Sequence, residues 1–164
     1  MKKIKKIPER LLKPDKKFNP VSIDEGDEIF RNGIFHFNIT KMLAFIHSHP
    51  DEVVLENVAV KDFPSTFSTI NEKHLDSVQN SEPVILAEIA PGKFNLIDGN
   101  HRMEKARRTG MESVMAYRLD VEQHINFLTT QEAYFAYVEY WNRKIEDLQH
   151  RLELKNGGNC CYPG

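Results

Sequence analysis

The stretch Leu96-Ile97-Asp98-Gly99-Asn100-His101-Arg102 brings together an acid, a glycine, an amide, an imidazole and a guanidinium where an apolar strand gives way to a helix. The amino end of a helix presents unpaired backbone N–H groups and the positive end of the helix dipole, which together suit an anion. Gly99 has no Cβ, so a ligand can approach the backbone closely there. His101 and Arg102 add cationic or donor side chains, and a guanidinium pairs bidentately with phosphate oxygens. Asp98, at the strand end, can cap the helix, orient His101 or hold a metal beside phosphates. The chemistry these types point to is phosphate binding, extended to phosphoryl transfer if a carboxylate accepts a proton or holds Mg²⁺. Asp98 is the best-placed carboxylate. Glu56 and Asp62, flanking the apolar run Val58-Ala59-Val60, are the next candidates.

Other chemistry-bearing residues read as structural. His47 and His49 stand on alternate positions with Asp51 nearby, but no third ligand follows at a defined spacing, so they read as a solvated helix end. His124 reads as a capping or packing residue. The cluster Tyr134, Phe135, Tyr137, Tyr140 and Trp141 offers rings for stacking bases, although core packing is the commoner use. Cys160 and Cys161 are adjacent, which strains a mutual disulfide, and no CxxC spacing exists. They read as reduced thiols in a loose tail.

The elements that must position the 98–102 stretch can be laid out from pattern. Ile29-Phe30 and Ile34-Phe35-His36-Phe37 around Asn32-Gly33 predict a hairpin. A short helix over 41–47 follows, capped by Asn38 or Thr40 and stopped before Pro50. Val53-Val54-Leu55 and Val58-Ala59-Val60 predict one or two strands, and 68–78 a helix burying Ile70, Leu75 and Val78. Val84-Ile85-Leu86-Ala87-Glu88-Ile89, a Pro91-Gly92 turn and Phe94-Asn95-Leu96-Ile97 predict a second hairpin. A helix over 100–108 closed by Gly110 and a strand over 113–117 complete an α+β unit with a small mixed sheet. Thr129 and Glu132 fit a capping box ahead of a long helix. Its stripe of Tyr134, Val138, Trp141, Ile145, Leu148 and Leu152 packs on the domain body or, less simply, on a second copy.

Asp98-Gly99-Asn100-His101-Arg102, with Ala106-Arg107-Arg108 and Gly110, resembles the ParB/sulfiredoxin superfamily, whose signature is a strand followed by Gly-x-(His/Arg)-Arg opening a helix. The likeness spans about residues 53–119. It implies a nucleotide site in which Gly99, Asn100, His101 and Arg102 contact phosphates of ATP or CTP with Mg²⁺, and in which Ser65, Ser68 and Lys73 help complete the pocket. Members include partition clamps, sulfiredoxins, free-serine kinases and proteins described as nucleases. Sulfiredoxins carry a catalytic cysteine where this chain has Asn100, so that reductase chemistry is not expected. Partition proteins continue into DNA-binding and dimerisation domains, whereas about 45 residues follow Tyr117 here. The expectation is a nucleotide-binding protein, a small-molecule kinase or NTP hydrolase with Asp98, His101 and Glu56 as catalytic candidates and Asp98 as the metal ligand. The alternatives are a non-catalytic nucleotide- or DNA-binding switch module and a nuclease.

Composition sets the outer bounds. The 164 residues are 40% hydrophobic and 28% charged, with 8 Gly and 8 Pro, a globular profile of one-domain size. No apolar run reaches the ~20 residues a membrane helix needs. The first six residues, Met1-Lys2-Lys3-Ile4-Lys5-Lys6, lack the apolar stretch of a secretory signal, and a cytoplasmic location is expected. Net charge is −2, but residues 1–17 carry eight Lys/Arg against two acids while the rest carries 14 against 22. The basic end can reach DNA or a protein partner, and the acidic body argues against broad DNA coating. The expected layout is a basic flexible arm over 1–22, the α+β domain over 23–120, a helical extension over 121–155 and a loose tail over 156–164.

Overall fold

The computed structural model of the chain describes residues 10–64 and 82–157. The expected helix over 68–78, with Ser65, Ser68 and Lys73, lies outside the described residues, as do Cys160 and Cys161.

Strands β1 (Ile29–Asn32) and β2 (Phe35–Asn38) form the predicted hairpin. Its turn centres one residue later than expected: Asn32 still pairs with Phe35, and Gly33 takes the left-handed conformation (φ 60°) at the first central position. Asn38 caps helix α1 (Ile39–Ser48), its side chain accepting from Lys41 N–H at 3.1 Å. Strand β3 (Val54–Ala59) is one continuous strand. Strands β4 (Val84–Ala90) and β5 (Lys93–Asp98) make the second hairpin. Helix α2 (Asn100–Arg108) follows and ends as predicted at Gly110, where Met111 N–H bonds Ala106 C=O and Gly110 N–H bonds Arg107 C=O, a Schellman closure. Strand β6 (Ser113–Leu119), the short helix α3 (Val121–His124) and the long helix α4 (Gln131–Gly157) complete the order.

The main sheet runs β3-β6-β4-β5. β4 and β6 are parallel and the other pairs antiparallel, so the architecture is mixed α+β. β4 is buried on both faces because helices cover both sides. On one face Ile85, Ala87, Ile97 and Leu119 pack with α1, the β1–β2 hairpin and α4. On the other Val84, Leu86 and Ala116 pack with Met103 and Ala106 of α2.

The stripe on α4 packs on the body: Tyr134, Val138, Trp141 and Ile145 are buried, whereas Leu152 is exposed. The cap differs from expectation. Thr130, not Thr129, receives Ala133 N–H (2.9 Å), because Thr129 N–H is drawn to His36 C=O (3.1 Å). A true capping box forms instead at Asp120 and Gln123, opening α3.

Where an extended arm is expected, residues 10–21 are pinned along α4. Asn142 brackets Leu12, accepting from its N–H (2.8 Å) and donating to its C=O (2.9 Å). Trp141 Nε1–H donates to Arg10 C=O at 2.8 Å, and Phe18 stacks on Tyr134 with ring centroids 3.9 Å apart. Residues 1–9 lie outside the description. Among the described residues no helix is long and apolar enough to cross a membrane.

Candidate functional site

Strand β5 carries Asp98 to the rim of the sheet. A register shift between Ile85 and Leu86 of β4 falls beside it and turns the strand end. Gly99 then reverses the chain in the left-handed region (φ 100°), and α2 starts at Asn100, its first turn closed by Met103 N–H to Gly99 C=O (2.9 Å). Gly99, the N-cap, has no side chain to cap this helix end. The glycine is required twice over. A Cβ would stand 2.5 Å from Val84 Cγ1, and the positive φ disfavours any L side chain. The close approach expected for a ligand is thus taken up by Val84 of the neighbouring strand and by Arg102, whose Nε lies 3.2 Å from that Cβ position.

Arg102 faces inward. Its Nη1 donates to Pro83 C=O (2.9 Å) and Glu82 C=O (3.1 Å), and its Nη2 to Asp98 Oδ2 (2.8 Å). Arg102 therefore ties the start of β4 to the end of β5, with Asp98 as its counter-ion, and holds the shape of the turn.

A third charge completes this corner. Glu28, just before β1, lies within electrostatic reach of both Asp98 and Arg102. Its carboxyl is raised above the usual range, first by partial burial and then by the Asp98 charge, with Arg102 opposing. Glu28 is held in place by its backbone, whose N–H donates to Thr40 Oγ1 (2.8 Å) and whose C=O accepts from Ile39 N–H (2.8 Å). No local spacing marks Glu28 as a site residue. It arrives because the hairpin folds back toward β5.

Beside this turn a cleft of about 270 Å³ runs along β5, the last strand of the sheet. Phe30, Asn32 and Phe35 of the hairpin line it, and so do Phe94 and Asn95 of β5. From α2 come Asn100, Glu104 and Arg107, one helical face by their spacing. Asp62 and Phe63 close the end near β3. Arg107 is paired with Glu104 and also donates to Phe63 C=O. The alternation of β1, which sets Phe30 and Asn32 on one side, is the signal in the sequence that points to this wall.

The structure gathers Asp98, Gly99, Asn100, His101 and Arg102 in one turn and brings Asp62 to the adjoining cleft. It does not bring Glu56 there. Glu56 lies on β3 opposite Ala116 and ion-pairs with Arg118 at 2.8 Å. β3 and β5 are the two ends of the sheet, three strand spacings apart, or about 14 Å. Glu56 therefore cannot share a proton or a metal with Asp98, which corrects its expected catalytic place.

Two of the residues read as structural have partners in the fold. His49 caps α1, its Nδ1 3.1 Å from Phe45 C=O and its ring stacked on Phe45. His124 is fully buried, with Nε2 2.7 Å from Glu88 C=O. Tyr137 donates to the same carbonyl at 2.8 Å, and its burial keeps the phenol protonated.

Mg²⁺ is commonly held by one or two carboxylates together with the phosphates of its ligand and water. Asp98, already paired with Arg102, is the carboxylate this turn offers to such a donor set. Among the described residues no group of three His, Cys, Asp or Glu side chains forms a closed cage. No family model, curated protein or solved structure matches the chain.

Proposed function

We propose that this chain is a nucleotide-binding protein of ParB/sulfiredoxin type that seats the phosphates of ATP or CTP at the amino end of α2. The observation that carries the reading is that α2 is entered through Gly99, which has no side chain to cap it, and opens at Asn100 onto the β5 cleft. The backbone N–H groups of the first turn and the helix dipole supply the attraction for an anion. His101 adds a donor at the turn, and Arg102 with Asp98 keeps the turn in shape. Asp98 is the residue that would hold Mg²⁺, which when bound would neutralise phosphate charge. In the catalytic form of this reading the protein hydrolyses the nucleotide or transfers its phosphoryl group, chiefly by positioning and charge stabilisation. A non-catalytic switch module is the second reading. It is favoured by Asp98 being committed to Arg102, a holding role that requires no turnover.

The test compares thermal midpoints with and without ATP, CTP and GTP in Mg²⁺ for the wild type and Asn100→Asp. A ligand at 100 times its dissociation constant adds about 2.7 kcal/mol, a shift of several degrees in a domain this size. The Asp at the first helical position favours the helix dipole, so the ligand-free midpoint stays level or rises while the nucleotide shift disappears. A wild type that shifts with no nucleotide sinks the reading. Given binding, Asp98→Asn separates the two forms: phosphate release that it abolishes marks an enzyme, and no release from the wild type marks a switch. Nicking of plasmid that depends on His101 would instead mark a nuclease.

A further inference from the structure

The cleft along β5 has a chemistry of its own. Phe30 on the hairpin side and Phe94 on the α2 side give it aromatic walls, Phe94 already carrying the Arg118 guanidinium 4.1 Å from its ring centroid, and Asn32, Asn95 and Asn100 contribute neutral amides. An amide offers a donor and an acceptor side by side, the complement of a nucleobase edge. β5, which contributes Phe94 and Asn95 to the lining, pairs with β4 alone among the described strands. A cleft that combines aromatic side chains with amides suits a flat heteroaromatic ring. The slot is continuous with the phosphate seat, because Asn100 opens α2 and also lines the cleft.

We propose that the β5 cleft holds the base of the bound nucleotide, with Phe30 and Phe94 as its aromatic lining and Asn32 and Asn95 reading its polar edge. This assignment rests on the nucleotide reading above and goes further by naming where base selectivity lies. It makes the β1–β2 hairpin, which lies outside the 53–119 unit, part of the ligand site.

The experiment is calorimetric titration of the full chain with inorganic tripolyphosphate and with each of ATP, CTP, GTP and UTP in Mg²⁺. The proteins are wild type, Asn95→Ala, Phe30→Leu and Asn100→Asp. Asn95 is exposed, so its variant folds independently of the outcome. The expected result is that one nucleotide binds at least about tenfold tighter than tripolyphosphate, and that Asn95→Ala and Phe30→Leu each erase most of that preference while leaving tripolyphosphate affinity unchanged. Asn100→Asp weakens both ligands. Nucleotide affinity untouched by Asn95→Ala and Phe30→Leu overturns the proposal but leaves the nucleotide reading standing. Failure of both nucleotide and tripolyphosphate to bind the wild type overturns the two together. A concentration-dependent dimer dispersed by either cleft variant assigns the β5 edge to a second copy and also overturns the proposal.

Discussion

His124 is completely shielded from water, and its Nε2 lies 2.7 Å from the Glu88 carbonyl and 3.3 Å from the Tyr137 hydroxyl. With Nε2–H donating to Glu88 C=O, Nδ1 is left as a bare acceptor with no hydrogen-bond partner in the interior. Burial lowers the imidazole pKa from 6.5 to about 4, with the Glu88 carbonyl, Asp120 and Glu88 opposing. The unfolded chain therefore takes up this proton first. Stability is intact above about pH 6.5 and falls by roughly 3 kcal/mol as the pH drops to about 4, at ~1.4 kcal/mol per pH unit. His124→Gln, which retains a donor for Glu88 C=O, should flatten a plot of unfolding free energy against pH in that window, even if its midpoint is lower throughout. An equally steep plot for the variant would assign the acid sensitivity elsewhere. Gly99 makes a second prediction at this scale. Gly99→Ala forces a Cβ against Val84 at a positive φ and should cost about 3 kcal/mol in denaturant unfolding. A loss below ~1 kcal/mol would mean that the turn relaxes freely.

At the scale of elements, the N-terminal segment and α4 are joined to the sheet through one carboxylate. Arg10 forks onto Glu88 at 2.9 and 2.5 Å, and Glu88 also accepts from Gly92 N–H at 3.0 Å. Burial by itself raises the Glu88 carboxyl, but Arg10 and the backbone donors outweigh it and the net shift is downward. Arg10 further lies over the Trp141 ring, 5.0 Å from its centroid. Removing the guanidinium leaves a carboxylate only 5% exposed without its counter-ion. Arg10→Ala should cost about 3–5 kcal/mol, and much less in a Glu88→Leu background, since the penalty is chiefly that of the stranded charge. Equal costs in the two backgrounds would assign the effect to lost packing alone. This clasp is invisible to local pattern: Arg10 and Glu88 are 78 residues apart, and the charge excess near the start reads as solvated. The helix caps show the same limit more gently. Asn38 and the Gly110 closure follow from residue type within one turn, whereas the choice of Thr130 over Thr129 depended on where His36 C=O lay.

For the whole molecule, Trp141 is the single tryptophan and reports on the docking of the Arg10 segment against α4. It is fully buried and bonded to Arg10 C=O. Its emission should be blue-shifted and protected from acrylamide, and Arg10→Ala should expose it to the quencher at temperatures where far-ultraviolet dichroism is unchanged. Protection that persists in Arg10→Ala would mean that α4 docks without the N-terminal segment. The hairpin β4–β5, helix α2 with its Gly110 stop, and the turn between them were legible because each is set by alternation, capping and conformational preference within about ten residues. The chemistry-bearing turn was legible for the same reason. What faces what was decided only in three dimensions. Glu56 went to the far end of the sheet, Arg102 turned inward to Pro83 C=O, Glu28 entered the electrostatic field of Asp98 and Arg102, and the β1–β2 hairpin became a wall of the cleft. Local hydrogen bonding selects strands and helices before any distant contact exists. Strand order and side-chain partners are set by burying apolar faces and compensating buried charge across the whole chain, so they belong to the tertiary structure alone.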